Sequence, residues 1–299
     1  MNKFNSSKKP LVWFSAILLS AVVAGCGGQD PILGGGGAGS SNLNLTAISD
    51  LGILAPFGIA SYGGITNSNA GGTTKINGDG VLNPTYNCNG AAVGSTNDYS
   101  ACLAPDTPLN NAGDKVVTPI FPDTTTAASV TAALNTKWKS LSPASLPGAT
   151  VLGCGTIGSA GGGGALIGCA GNATLPPGVY ISATGSSIGV SGTLTLNGSA
   201  TDVWVFQAPS AVTTAIGSTI LLTGGAKASN VWWYVGSSAS LGGSTTFNGN
   251  ILASASISMG TLATSCGRLL AGAEGSGAFS FLSNTVSVPG HPNAPAGCQ

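Results

Sequence analysis

The apolar residues of the chain fall in short runs that alternate with glycine, serine and asparagine, most clearly between residues 178 and 287. Val, Ile, Leu, Thr and Trp dominate the runs, and no long stripe with helical periodicity passes through them. Runs of residues that favour strands, bounded by residues that favour turns, are typical of many short strands. The pattern therefore predicts an all-β domain over this part of the chain.

The short runs also repeat loosely. The segments LTLNG, ILLTGG, TTFNG and ATSCG lie near residues 197, 223, 248 and 266, and another strand-like run follows each of them. A recurring strand–turn–strand unit favours the coils of a solenoid, in which each coil buries its apolar side against its neighbours. The uneven offsets favour an irregular β-helix over a strict repeat. A β-sandwich is the alternative that the pattern alone leaves open.

One segment carries a helical pattern instead. Apolar residues recur at helical spacing between Asp123 and Leu141, with Pro122 before the first turn and Pro143 after the last. We predict one long helix packed along a side of the solenoid, with Trp138 as a packing residue. The predicted buried stripe is Ala127, Val130, Ala133 or Leu134, Trp138 and Leu141.

The amino terminus has the pattern of an export signal, residues 1–25, in which three lysines precede an apolar run from Leu11 to Ala24. That run is short for a membrane span. The sequence Val23-Ala24-Gly25-Cys26 resembles the lipobox of bacterial lipoproteins. This resemblance implies acylation of Cys26 and attachment to a lipid bilayer, and an ordinary signal peptide is the alternative. Gly27 after the cysteine implies, by resemblance to sorted lipoproteins, the outer membrane or cell surface.

Composition supports an exported, uncharged domain. Residues 26–44 are rich in glycine and serine and read as a flexible tether, residues 45–288 as the folded domain, and residues 289–299 as a Pro-rich tail. Charged residues make up 6% of the 299-residue chain and the net charge is zero, so small neutral polar groups must cover the surface. No basic patch indicates a nucleic-acid partner, and we expect a monomer.

Six cysteines remain after Cys26, and an even number in an exported chain indicates disulfides. Proximity along the chain predicts the pairs Cys88–Cys102, Cys154–Cys169 and Cys266–Cys298. A metal site is the competing interpretation. Because the chain has no CxxC motif and a single histidine, His291, we expect no metal and no cofactor.

Several motifs stand in the same order and spacing as in the ice-binding-protein-like domain of bacteria and fungi, which the chain resembles from residue 45 to residue 288. They are Leu51–Ala55 with Ile59 and Ile65, Ile76–Val81, Leu175–Tyr180, Asp202–Gln207, Thr223–Ala226 with Asn230–Trp233, Phe247–Leu252, Cys266–Ala271 and Ser283–Val286. The resemblance implies an irregular right-handed β-helix of triangular section with the helix alongside. It also implies that one flat face adsorbs to an ice crystal.

The alternation of apolar and small residues along the short middle strands indicates which residues would form that face. Ile188, Val190, Leu241, Ile257 and Met259 are predicted to point inward. A register slip of one residue would invert inward and outward positions. The ten outward positions, called the predicted face below, are Ser187, Gly189, Ser191, Thr213, Ala215, Ser240, Gly242, Ser258, Gly260 and Ser280.

Catalytic motifs are weak, and we expect no enzyme. Residues 185–189 fit G-x-S-x-G, but no helix is predicted after them and His291 lies in the tail. Asp79 and Asp202 could form a carboxylate pair as in a glycosidase, although turn positions explain both better. Two alternatives to ice binding therefore remain. One is an envelope adhesin without affinity for ice, and the other is a carbohydrate-active enzyme.

Overall fold

The computed structural model describes residues 48–68, 74–89, 91–92, 114, 116–117, 124–183 and 185–299. The predicted signal, Cys26, the tether, Asp123 and Cys102 lie outside these described residues. Within the described residues, no helix is long and apolar enough to cross a membrane.

The described chain forms 25 strands in three sheets, and nearly every pairing is parallel. The first sheet contains β1 (Phe57–Ser61), β4 (Asp79–Leu82), β7 (Val116–Val117), β8 (Thr150–Val151), β11 (Gly178–Ile181), β14 (Trp204–Ala208), β17 (Val231–Val235), β20 (Asn250–Ala253) and β23 (Leu269–Ala271). The second contains β2 (Ile65–Ser68), β5 (Asn87–Cys88), β6 (Ala91–Ala92), β9 (Thr156–Ile157), β12 (Ile188–Val190), β15 (Val212–Thr214), β18 (Ala239–Leu241), β21 (Ile257–Met259) and β24 (Phe279–Leu282). The third contains β3 (Lys75–Asn77), β10 (Thr174–Leu175), β13 (Thr193–Asn197), β16 (Thr219–Thr223), β19 (Thr246–Asn248), β22 (Thr264–Cys266) and β25 (Thr285–Ser287).

Each coil of the solenoid takes one strand from each sheet in chain order, so β11–β12–β13 form one coil and β14–β15–β16 form the next. The predicted β-helix is therefore confirmed. The amino-terminal coil breaks the chain order, because β1, β2 and β3 pair with β23, β24 and β25 at the carboxyl-terminal end of the stack. β5 and β6 form an antiparallel pair at the same end.

The interior of the solenoid is filled by the inward side chains of all three sheets. Four aromatic rings form a row through it: centroids are 5.5 Å apart for Tyr180 and Phe206, 4.1 Å for Phe206 and Trp233, and 5.3 Å for Trp233 and Phe247. Ring stacking of this kind adds to the burial of apolar area. The interior therefore supports each sheet from within.

The helix α1 (Thr124–Ser140) covers the outer side of the first sheet. Its buried stripe is the predicted one, with Leu134 buried and Ala133 partly buried. The Trp138 indole Nε1 donates a hydrogen bond of 3.0 Å to the carbonyl oxygen of Val235, and its ring stacks on Tyr234 at 4.8 Å. Because strands of the first sheet are buried on both sides, the second and third sheets are left to form the exposed faces.

Candidate functional site

The second sheet carries the predicted face. Its strands alternate buried and outward residues, and the five residues predicted to point inward are buried. Within the described residues, none of the ten predicted outward positions is buried. The sequence therefore anticipated the orientation of these strands; whether the face binds anything is a separate question.

The centre of the predicted face is an in-register column. Strand pairing aligns Gly189 with Thr213, Thr213 with Ser240, Ser240 with Ser258, and Ser258 with Ser280. Thr156 and Thr66 extend the column at its two ends. The Ser258 and Ser240 hydroxyls hydrogen-bond to each other at 3.1 Å. Because of this bond, the two hydroxyls have less hydrogen-bonding capacity left for water.

Two glycines of the predicted face lie close to the backbone of an adjacent coil and leave no room for a side chain. A Cβ on Gly242 would lie 2.6 Å from the Thr214 carbonyl oxygen, and one on Gly260 would lie 2.6 Å from the Gly243 nitrogen. Both glycines lie just after strands β18 and β21, where the chain turns toward the third sheet and adjacent coils approach closely. They are required for this close approach, which limits the width of the predicted face.

The third sheet carries a second ordered column that the sequence analysis did not select. Strand pairing places five threonines in one register, without a shift between coils. Parallel strands of neighbouring coils are about 4.8 Å apart, so each threonine repeats at that spacing. This column, called the threonine ladder below, consists of Thr193, Thr219, Thr246, Thr264 and Thr285.

The ladder side chains face outward. Thr246 is exposed and the other four are partly exposed, whereas the residue that follows each of them points into the interior and is buried. Within the described part of the chain, the Thr264 hydroxyl donates a long hydrogen bond of 3.5 Å to the Thr245 carbonyl oxygen, and the other four ladder hydroxyls have no partner in the protein. β-branched side chains are stiff at χ1, so each methyl and hydroxyl pair is held in place with little rotamer freedom.

The carboxyl-terminal tail covers part of the outer side of the third sheet. The disulfide Cys266–Cys298 joins the tail to β22, and the Asn77 side-chain amide donates hydrogen bonds to the Ser287 hydroxyl (2.8 Å) and to the Asn293 carbonyl oxygen (3.2 Å). Asn77 and Ser287 are therefore buried although they alternate with inward residues. The tail leaves the threonine ladder itself uncovered.

Two of the predicted disulfides are present, Cys154–Cys169 and Cys266–Cys298. Cys88 is also disulfide-bonded, and its predicted partner, Cys102, lies outside the described residues. Thus the pairing predicted from proximity along the chain agrees with the structure wherever both cysteines are described.

The residues considered for catalysis are not brought together. Asp79 lies in β4 and Asp202 just before β14, five strand spacings away in the first sheet, or about 24 Å. The Asp202 carboxylate accepts a hydrogen bond from the Ser199 backbone nitrogen at 2.7 Å, as expected of a turn residue. Residues 185–189 lead into strand β12 rather than a helix.

The threonine ladder could have been found from the sequence. Each ladder residue begins one of the short runs TLTLN, TILLT, TFN, TSC and TVS. Aligning the runs by their first threonine, instead of by the turns that follow, would have exposed the column. Unequal coil lengths hide this alignment, because the spacing between consecutive ladder residues varies.

The chain matches the family model for ice-binding-like proteins over residues 59–286. It is 36% identical over 122 residues to an ice-binding protein of Flavobacterium frigoris (strain PS1), covering 41% of this chain and 42% of that protein. It is 45% identical over 120 residues to an ice-binding protein of Nostoc sp. (strain HG1), covering 39% of this chain and 42% of that protein. The matched region thus spans less than half the length of these curated relatives.

Solved structures give the same result. An ice-binding protein from the Antarctic ascomycete Antarctomyces psychrotrophicus superposes with a TM-score of 0.59 at 31% identity, covering 80% of this chain and 97% of that one. An ice-binding protein from an Antarctic biological consortium superposes with a TM-score of 0.57 at 29% identity, covering 80% of this chain and 90% of that one. From its sequence, its three-sheet solenoid and its helix, this chain belongs to the ice-binding-like family.

Proposed function

We propose that this protein adsorbs to ice and inhibits ice growth or recrystallisation, and that the threonine ladder of the third sheet is the adsorbing face. The observation that carries the proposal is the unbroken register of five outward threonines. Each residue presents one hydroxyl that can hydrogen-bond water and one methyl group that restricts it. Repeated at the spacing of the coils, they form a regular grid for ordered water.

Rigidity favours this face energetically. Immobilising a flexible side chain at an interface costs about 0.5–1.5 kcal/mol. Threonines held on strands lose little freedom on adsorption, because χ1 is already restricted. Buried side chains directly beneath the ladder, among them Leu194, Ile220, Phe247 and Val286, keep the strands in place.

The predicted face on the second sheet is the second candidate. It is longer, and its central column from Thr156 to Thr66 has no ionisable side chain. However, that column includes serine and glycine at Gly189, Ser240, Ser258 and Ser280, and serine hydroxyls rotate more freely than those of threonine. We therefore place adsorption on the third sheet.

One coil provides a matched test of the two faces. Thr246 in β19 and Ser240 in β18 are both exposed and occupy the central column of their respective sheets. Tyrosine is favoured in strands, so Thr246→Tyr and Ser240→Tyr should both fold. We expect Thr246→Tyr to weaken adsorption at least about tenfold, or about 1.4 kcal/mol of adsorption free energy, and to lower thermal hysteresis activity as a result. Ser240→Tyr should retain it.

The reverse result would assign adsorption to the predicted face. An unchanged activity in both variants would contradict both assignments. If the parent chain neither alters ice growth nor partitions into ice, the proposal of ice binding itself is wrong, and an envelope adhesin without affinity for ice becomes the better explanation.

We further propose that the domain is attached to the cell envelope through acylated Cys26 and acts at the outer membrane or cell surface as a monomer. The lipobox-like sequence and the Gly/Ser-rich segment after it support this proposal. Anchoring would keep the domain next to the cell, where it could limit recrystallisation or hold the cell on ice.

A further inference from the structure

Three exposed apolar side chains border the threonine ladder. Ile216 is 83% exposed, Leu262 is 53% exposed and Leu221 is 44% exposed. Leu221 lies two residues after Thr219 on the same strand and the same side of the sheet. Ile216 and Leu262 lie in the turns that lead from the second sheet into β16 and β22. All three therefore adjoin ladder residues.

The corner turns are themselves in register. The backbone nitrogen of Gly217 donates to the Gly243 carbonyl oxygen (2.9 Å), that of Ser244 to Thr261 (2.8 Å) and that of Leu262 to Leu282 (3.1 Å). One residue per turn adopts the left-handed conformation: Gly192 (φ 69°), Gly217 (70°), Ser244 (54°), Leu262 (61°) and Ser283 (56°). Leu262 thus occupies a position that glycine fills in two other coils.

Neither packing nor backbone preference explains a leucine there. A bulky residue at positive φ is a genuine conformational outlier, whereas glycine adopts it without strain. Leu262 belongs to neither of the two buried clusters and more than half of its side chain is in water. Because this backbone strain is not accompanied by any gain in packing, we look for a role of the Leu262 side chain at the surface.

We propose that Leu262, together with Ile216, forms an apolar rim that contacts ice beside the threonine ladder and strengthens adsorption. This inference rests on the proposed function. Adsorption removes exposed apolar surface from liquid water, which is favourable. The rim residues lie in the turns that lead into ladder strands, and the five ladder threonines are uncharged, with Lys75 next in register beyond Thr285. Ice is therefore the occupant we assign to both the ladder and the rim. This contact explains why a leucine is found in a strained backbone conformation at position 262.

Two variants of the full chain test the role of Leu262, with Ser244→Gly as the matched control. Leu262→Gly removes the side chain and relieves the left-handed strain, so its melting temperature should stay the same or rise. Leu262→Asn keeps a side chain of a type that tolerates this conformation. Ser244→Gly relieves the equivalent strain one coil away without removing apolar surface.

The readout is the protein concentration that half-inhibits ice recrystallisation. We expect this concentration to rise about fivefold for both Leu262 variants, from the burial of roughly half a leucine side chain. Ser244→Gly should leave it unchanged. Equal activity of the parent chain and the Leu262 variants would overturn the rim, while an inactive parent chain would instead overturn ice binding. Loss of activity accompanied by a lower melting temperature in both Leu262 variants would make Leu262 a structural residue and also overturn it.

Discussion

Lys137, near the end of α1, is a cation that the fold removes almost completely from water. Its residue is 9% exposed, and its ammonium group donates hydrogen bonds to the backbone carbonyl oxygens of Ile48 and Asp50. It also lies 4.8 Å from the centroid of the Trp232 ring. Burial lowers the pKa of Lys137 from 10.5 to about 8, and the charge of Asp50 opposes this shift only in part. Stability should therefore depend on pH.

The direction and size of this pH dependence of stability follow from proton linkage. Between pH 8 and 10.5 the unfolded chain holds the Lys137 proton more tightly than the folded chain, so the free energy of unfolding rises with pH. Integrated from pH 7 to pH 9.5, the gain is about 2 kcal/mol. Burial lowers the pKa of Arg268 to about 10 and raises that of Tyr180 to about 12. Their contributions at pH 9.5 are about 0.2 kcal/mol each and of opposite sign.

Urea unfolding followed by tryptophan fluorescence at pH 7, 8 and 9.5 measures this dependence. The parent chain should gain about 2 kcal/mol across the range, whereas Lys137→Met, which keeps the aliphatic length but not the ammonium, should stay within about 0.5 kcal/mol. The two proteins are compared by the slope of the free energy of unfolding against pH, and not by its absolute value. The slope does not include the separate cost of leaving the Ile48 and Asp50 carbonyl groups without a donor. Equal slopes in the two proteins would refute the assignment to Lys137.

Two further predictions concern the ends of the domain. A palmitate analogue supplied to bacteria that express the full chain should label the parent protein, and Cys26→Ala should abolish the label and release the protein from the membrane fraction; a labelled variant would refute the anchor. Replacing both Cys266 and Cys298 with serine should lower the free energy of unfolding by about 4 kcal/mol, because the disulfide closes a loop with a sequence separation of 32. Urea unfolding measures this loss, and an unchanged midpoint would show that the non-covalent contacts of the tail suffice.

The local features of this fold could be predicted because they depend on neighbouring residues. Strand runs such as Trp204–Ala208, the helix and the inward positions all follow from alternation or helical spacing. The packing role of Trp138 followed as well, because it lies on the apolar stripe of the helix. Each of these features is specified within one segment or one turn.

Features that depend on register between coils could not be read in the same way. The threonine ladder requires alignment of five strands across turns of unequal length; a threonine begins each run, but no local rule states that these five positions share one register. The pairing of β1 with β23 joins segments about two hundred residues apart, and the loose repeat between residues 178 and 287 does not extend back to β1. The tail looked like a simple Pro-rich end, and its hydrogen bond between Asn77 and the Asn293 carbonyl group could not be anticipated.

Among the described residues, Lys137 and Arg268 lie away from the exposed faces, whereas Lys75 is exposed and in register with Thr285 at one end of the threonine ladder. Lys137 and Arg268 both bind backbone carbonyl groups of residues 48–55, and Ile48 and Leu54 pack into the cluster between α1 and the first sheet. These two buried cations therefore fix the segment that follows the proposed tether to the helix-covered side of the solenoid. A lipid anchor attached through that segment would join the domain on a side other than the third sheet. The proposed attachment to the cell and the proposed adsorption through the threonine ladder would then use different sides of the molecule, so the two proposals are compatible.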